Sequence, residues 1–151
     1  MSPIDVHASA VVIEEAGILI RGASGSGKSS LALALIAAAE SAGSFARLVG
    51  DDRIGLESRG GRLIARGHPL ILGRIEQRGQ GILPTPFVAA AIVRLVVDLV
   101  PPDRTPPRCP EPEEDRLLLA GVSLPLLILR QSGATCDLAA STLRRLRLTR
   151  H

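Results

Sequence analysis

Residues Gly22-Ala23-Ser24-Gly25-Ser26-Gly27-Lys28-Ser29 fit the pattern G-x-x-x-x-G-K-[ST] in full, and no other segment constrains the chain as much. Glycines permit the backbone angles by which successive N–H groups curl around phosphate oxygens, and a helix starting at the same point adds the positive end of its dipole. In such a loop Lys28 reaches the outer phosphates of a nucleotide and the Ser29 hydroxyl holds magnesium. A Gly/Ser turn carrying a merely solvated lysine would not account for Lys and Ser together at the last two positions.

The motif demands a strand before it and a helix after it, and the flanking sequence predicts both. Apolar and β-branched runs at 10–14 and 17–21, separated by Glu15-Ala16, read as a hairpin whose second strand enters Gly22 directly. Residues 29–42 are rich in Ala and Leu, with Leu31, Leu35 and Ala38 at helical spacing and Gly43 as the stop. Further on, 47–50 reads as a short strand ending at Asp51-Asp52, and 54–57 with 62–65 as a hairpin around Ser58-Arg59-Gly60-Gly61. Residues 68–76 fit helix or loop equally, 77–86 hold the turn formers Gly79, Gly81 and Pro84, and 93–100 alternate as a strand.

Six of the eleven prolines fall within 101–112, which predicts an irregular loop inside one domain spanning 1–151. Strands at 117–120 and 126–130 around Gly121 and a closing helix at 137–148 complete the chain. Hairpins beside a strand-loop-helix unit imply an α/β fold with a mixed central sheet.

Composition narrows the partners. With Phe45 and Phe87 the only aromatics, stacking platforms for single-stranded nucleic acid are missing, and a net charge of +3 is mild, so no nucleic-acid partner is expected. Arg144, Arg145, Arg147 and Arg150 read as the solvated face of the last helix. Two cysteines, Cys109 and Cys136, form no metal or disulfide pattern. The N-terminus lacks a signal-peptide pattern and the longest apolar runs are too short for a membrane helix, so no membrane partner and a cytoplasmic location are expected.

The segments beyond the loop identify the relatives. A guanine-reading Asn-Lys-x-Asp is missing; instead come Arg47-Leu48-Val49-Gly50-Asp51-Asp52 and then Ile75-Glu76-Gln77-Arg78-Gly79-Gln80-Gly81-Ile82. These resemble the Val-Ala-Asp-Asp segment and the Glu-Ile-Arg-Gly-Leu-Gly-Ile signature of the HPr kinase/phosphorylase family. His7, fifteen residues before Gly22, matches the family's His ahead of the loop. Four features in one order, over about residues 6–85, are far more specific than any one of them.

The resemblance implies a P-loop phosphotransferase domain, with a sheet arrangement shared with phosphoenolpyruvate carboxykinase, that uses ATP and Mg2+ to phosphorylate a serine of an HPr-type phosphocarrier. By the same resemblance Asp52 is the base that takes the serine proton, Asp51 and Glu76 join Ser29 around the magnesium, and His7 lies beside the aspartates. Arg78, Gly79 and Gly81 sit in the stretch tied to the family's two activities. Arg108, seventeen residues before Pro125, matches a late active-site Arg, with Arg104 and Arg116 as rivals.

Family members are hexamers, which implies a homo-oligomer. The resemblance is to the short, catalytic-domain-only members, so a chain of that kind is expected. The late segment used for the reverse reaction is not recognisable at 130–135, so weak or absent phosphorylase activity is expected. Two other readings remain open at this level: an ATP-binding sensor without catalysis, and a small-molecule kinase on the same scaffold.

Overall fold

The computed structural model describes residues 3–104 and 115–149. Among them lie eleven strands and two helices: β1 Ile4–Val6, β2 Ala8–Ile13, β3 Ala16–Gly22, α1 Lys28–Ser41, β4 Ala46–Gly50, β5 Ile54–Arg59, β6 Arg62–Gly67, β7 Arg74–Gln77, β8 Gly81–Pro84, β9 Ala90–Val100, β10 Arg116–Leu119, β11 Val122–Arg130 and α2 Thr135–Leu148. Nine strands form one sheet in the order β1-β5-β6-β9-β3-β2-β4, with β11 also on β9 and β10 on β11. Strand β9 pairs in parallel with β3 and β11, while the other pairs are antiparallel. The sheet is therefore mixed, as expected from the hairpins flanking the glycine loop.

Alternation along the central strands creates two cores. Ile18 and Ile20 of β3, with Leu95, Val97 and Leu99 of β9, face α1 and α2 and pack on Leu31, Leu35, Ala139 and Leu146. Leu19 and Val96 point the other way and meet Ile54, Leu56, Leu63 and Ala65 of the β5/β6 hairpin. A bulge lets β9 serve both cores: Gly17 pairs with Val93 but Ile18 pairs with Leu95, so Arg94 is extra and Val93 changes face.

Helix α1 forms because Ala and Leu carry the best helix propensity, and it stops in a glycine cap. Gly43, at φ 81°, donates to Glu40 O at 2.9 Å and Ser44 donates to Ala39 O at 2.9 Å, which satisfies two of the helix's last carbonyls.

The ambiguous stretch 68–76 and the turn-rich stretch 77–86 resolve into neither helix nor plain loop. They supply β7 and β8, an antiparallel hairpin forming its own two-stranded sheet and anchored by Ile75, which is 1% exposed in the helix-side core. Strand β9 starts at Ala90, three residues before the expected 93, because 90–92 pair with β6. Pro125, which lacks an amide hydrogen, falls where β11 changes partners, pairing with β10 up to that residue and with β9 from Leu126. No helix among the described residues is long and apolar enough to cross a membrane.

Leu19 is fully buried in the sheet's second core, so Leu19→Ala is expected to cost about 2–5 kcal/mol in urea unfolding, from lost burial plus the cavity left behind.

Candidate active site

The loop Gly22–Ser29 leaves β3 at the end of its ladder with β9 and turns into α1. Gly25 and Gly27 take φ 79° and 99°, in the left-handed region that glycine enters without steric cost. Lys28 is 7% exposed and its Nζ donates to Gly22 O at 2.9 Å and Ala23 O at 3.1 Å, so the side chain folds back over the loop. Ser26 is also buried, and its Oγ has no partner among the described residues.

Asp51, 5% exposed at the end of β4, draws four segments together. Its carboxylate accepts from Ser9 Oγ of β2 at 2.6 Å, from Ser29 Oγ of α1 at 2.8 and 3.0 Å, and from the Glu76 amide of β7 at 3.3 Å. A buried carboxylate is tolerable only with such donors, and charge-assisted bonds of this kind are about twice as strong as neutral ones.

Asp52 points elsewhere. Arg53 N donates to Asp51 O at 2.8 Å, closing a three-residue turn whose central residue, Asp52, has φ 69°. For a residue bearing a Cβ that conformation costs about 1–3 kcal/mol, and such strain concentrates at functional positions. The turn separates the two neighbouring carboxylates: Asp51 is sealed under the loop serine, whereas the Asp52 side chain is 69% exposed with Oδ1 3.1 Å from His7 Nδ1.

The turn of the β7/β8 hairpin brings a cation to the loop. A Cβ placed on Gly25 would lie 4.0 Å from Arg78 Nη2. Burial lowers the pKa of the Lys28 ammonium below that of an ordinary lysine, while the negative charges of Asp52 and Asp51 act in the opposite direction.

Of the residues expected in the site, His7, Lys28, Ser29, Asp51 and Asp52 converge around the loop. Glu76 joins through its backbone amide, and its side chain is exposed. Arg108 lies outside the described residues. Of its rivals, Arg104 is exposed and Arg116 is engaged on β11, donating to Ser123 Oγ at 3.0 Å and Ser123 O at 3.1 Å. Ser9 was not expected; its only trace in the sequence is a single hydroxyl in an otherwise apolar strand.

Among the described residues, no group of three or more His, Cys, Asp or Glu side chains is clustered as a metal cage. The pair Ser29 and Asp51 nonetheless suits magnesium, which is commonly held by one or two protein oxygens with phosphates and water completing the shell. The orphaned Ser26 hydroxyl and the glycine amides likewise suit phosphate oxygens.

A strand, a glycine loop and a helix, with a carboxylate bonded to the loop serine, define a P-loop domain of the phosphotransferase kind. Comparison with known proteins places it within that class: the family model described as the HPr serine kinase C-terminal domain matches residues 1–100, and the chain belongs to this family. It is 42% identical over 76 residues to the HPr kinase/phosphorylase of Mycoplasma mycoides, a stretch covering 50% of this chain and 22% of that protein. With the HPr kinase/phosphorylase of Clostridium beijerinckii it shares 40% identity over 78 residues, 52% of this chain and 24% of the relative. The match thus spans under a quarter of either relative's length. The solved structure of the Hpr(Ser) kinase/phosphatase from Coxiella burnetii superposes with a TM-score of 0.77 and 28% identity, covering 96% of this chain and 97% of that one.

Lys28 generates a prediction about stability. With its pKa lowered by folding, the folded state resists protonation that the unfolded chain accepts, so the charge opposes folding at neutral pH. The penalty fades as pH rises from the lowered pKa toward the unfolded value of about 10.4. Lys28→Met removes this penalty but also the bonds to Gly22 O and Ala23 O, so its stability relative to the unaltered protein is expected to be more favourable at neutral pH than in alkaline buffer, as read from thermal melts across that range.

Proposed function

We propose that this domain transfers the γ-phosphoryl group of ATP to a serine hydroxyl on an HPr-type phosphocarrier protein. The observation that carries the reading is the divided aspartate pair: Asp51 buried on the loop serine, Asp52 exposed beside His7 at the same site. That division supports a role for one carboxylate in holding the nucleotide's metal and for the other in meeting a substrate arriving from solvent.

In this reading the loop amides and Lys28 bind the phosphates, and Arg78 offers a further cation from the hairpin turn. Ser29 and Asp51, with the exposed carboxylate of Glu76 from β7, would hold the magnesium, which would neutralise charge on the phosphate oxygens. Asp52 accepts the proton of the serine hydroxyl as its oxygen bonds to the γ-phosphorus. The bond from that phosphorus to the bridging oxygen breaks, and ADP departs with the electron pair. His7 fixes the direction of the Asp52 carboxylate. The resemblance adds Arg108 as a late cation and a homo-oligomeric state; composition and hydropathy add a cytoplasmic setting with no nucleic acid or membrane as partner. Lacking a recognisable counterpart of the late dephosphorylation segment, the domain works mainly in the forward direction.

Incubation with magnesium, γ-labelled ATP and HPr-type carriers, added one at a time, tests this reading. Label is expected on one serine of one carrier. Asp52→Asn should lower the transfer rate by at least about a thousandfold, each tenfold being about 1.4 kcal/mol of barrier. Label on no carrier, despite demonstrable ATP binding, would overturn the protein-kinase reading.

A further inference from the structure

One strong polar contact near the loop belongs to none of the roles above. Arg21 is the last side chain of β3 before Gly22, and it sits directly across the parallel ladder from Asp98 of β9. Its Nε donates to Asp98 Oδ1 and its Nη2 to Asp98 Oδ2, both at 2.7 Å, a two-pronged pair in which the side chains are 31% and 24% exposed. The hydrogen bond to Asp98 raises the Arg21 pKa, burial lowers it, and the charge of Asp98 raises it further.

The pair lies on the face of the sheet away from Asp51. Along β3, Ile18 and Ile20 face the helices and Leu19 faces the other core, so alternation sends Arg21 to the side of Leu19. The next rung, Gly22 with Leu99, ends the ladder, and Gly22 can carry no side chain, since a Cβ there would lie 2.5 Å from Ser26 Oγ and 3.0 Å from Leu99 O. Gly22 O is in turn the acceptor for Lys28 Nζ. Arg21 is thus the last point at which a side chain can fix the strand before the loop begins.

We infer that Arg21 and Asp98 are a positioning pair: by locking β3 to β9 one residue ahead of the loop, they set the Gly22 peptide and hence the seat of Lys28 for the nucleotide's phosphates. The inference rests on the nucleotide-binding part of the proposed function. Both residues act through Gly22.

The sign of one substitution separates positioning from bulk electrostatics. Asp98→Asn removes a negative charge near the loop and leaves Arg21 charged, so Coulomb attraction alone would tighten binding of a polyanion. Loss of positioning predicts the reverse. In calorimetric titrations with magnesium and ATP, Asp98→Asn is expected to bind about tenfold more weakly than the unaltered protein, the scale of one lost charge-assisted bond. Asp98→Glu, which can rebuild the fork, should stay within about threefold of it, and Arg21→Lys, which keeps the charge but not the fork, should weaken binding about fivefold. Thermal melts alongside identify any variant that fails to fold; Arg21→Lys is then the deciding one. Binding by Asp98→Asn, or by Arg21→Lys in its place, that equals or exceeds that of the unaltered protein would overturn the inference while leaving the functional reading intact. Failure of the unaltered protein to bind ATP would overturn both.

Discussion

The site is organised around one buried negative charge. The Asp51 carboxylate receives hydroxyls from β2 and α1 and an amide from β7, so a single side chain at the end of β4 ties together the sheet, the loop helix and the separate hairpin. Removing it would leave two serine hydroxyls and an amide without their acceptor in a nearly water-free setting, where each unsatisfied group costs about 1–3 kcal/mol. Keeping it requires those donors, because burying an unpaired charged group at that depth is costly.

The neighbouring residue shows how local strain serves this arrangement. Two successive aspartates in a regular strand would point to opposite faces of the sheet, one of them into a core. The tight turn at Asp52 ends the strand instead, and its positive φ turns the second carboxylate outward to His7 while the first stays inside. The same backbone feature therefore gives one carboxylate a buried environment against the loop serine and the other a solvent-side one beside His7, the separation on which the proposed function rests.

Much of this was legible in the sequence, for reasons that also explain what was not. The glycine loop, α1 and the hairpins before and after it announce themselves through turn formers and apolar periodicity, and the order of the motifs around Asp51-Asp52 pointed to the family. The β7/β8 hairpin was obscured because its strands are four residues each and its glycines and proline read as loop. Strand β1 is three residues long and largely exposed, with no apolar pattern to mark it. Within the site, adjacency of the two aspartates was visible but their separation was not, since a positive φ at a residue with a Cβ leaves no sequence signature. The Glu76 contact runs through the backbone, which side-chain identity does not encode, and the Arg21–Asp98 pair depends on the β3/β9 register between strands more than seventy residues apart.

The central claim is that Asp51 links the loop serine to magnesium, so that metal and nucleotide bind as one. Its most direct test is ATP affinity of Asp51→Asn measured with and without magnesium. The account predicts that magnesium tightens ATP binding to the unaltered protein and that this gain largely disappears in Asp51→Asn, with the variant still folded. A variant that keeps the full magnesium-dependent gain would contradict the account and reduce Asp51 to a structural carboxylate.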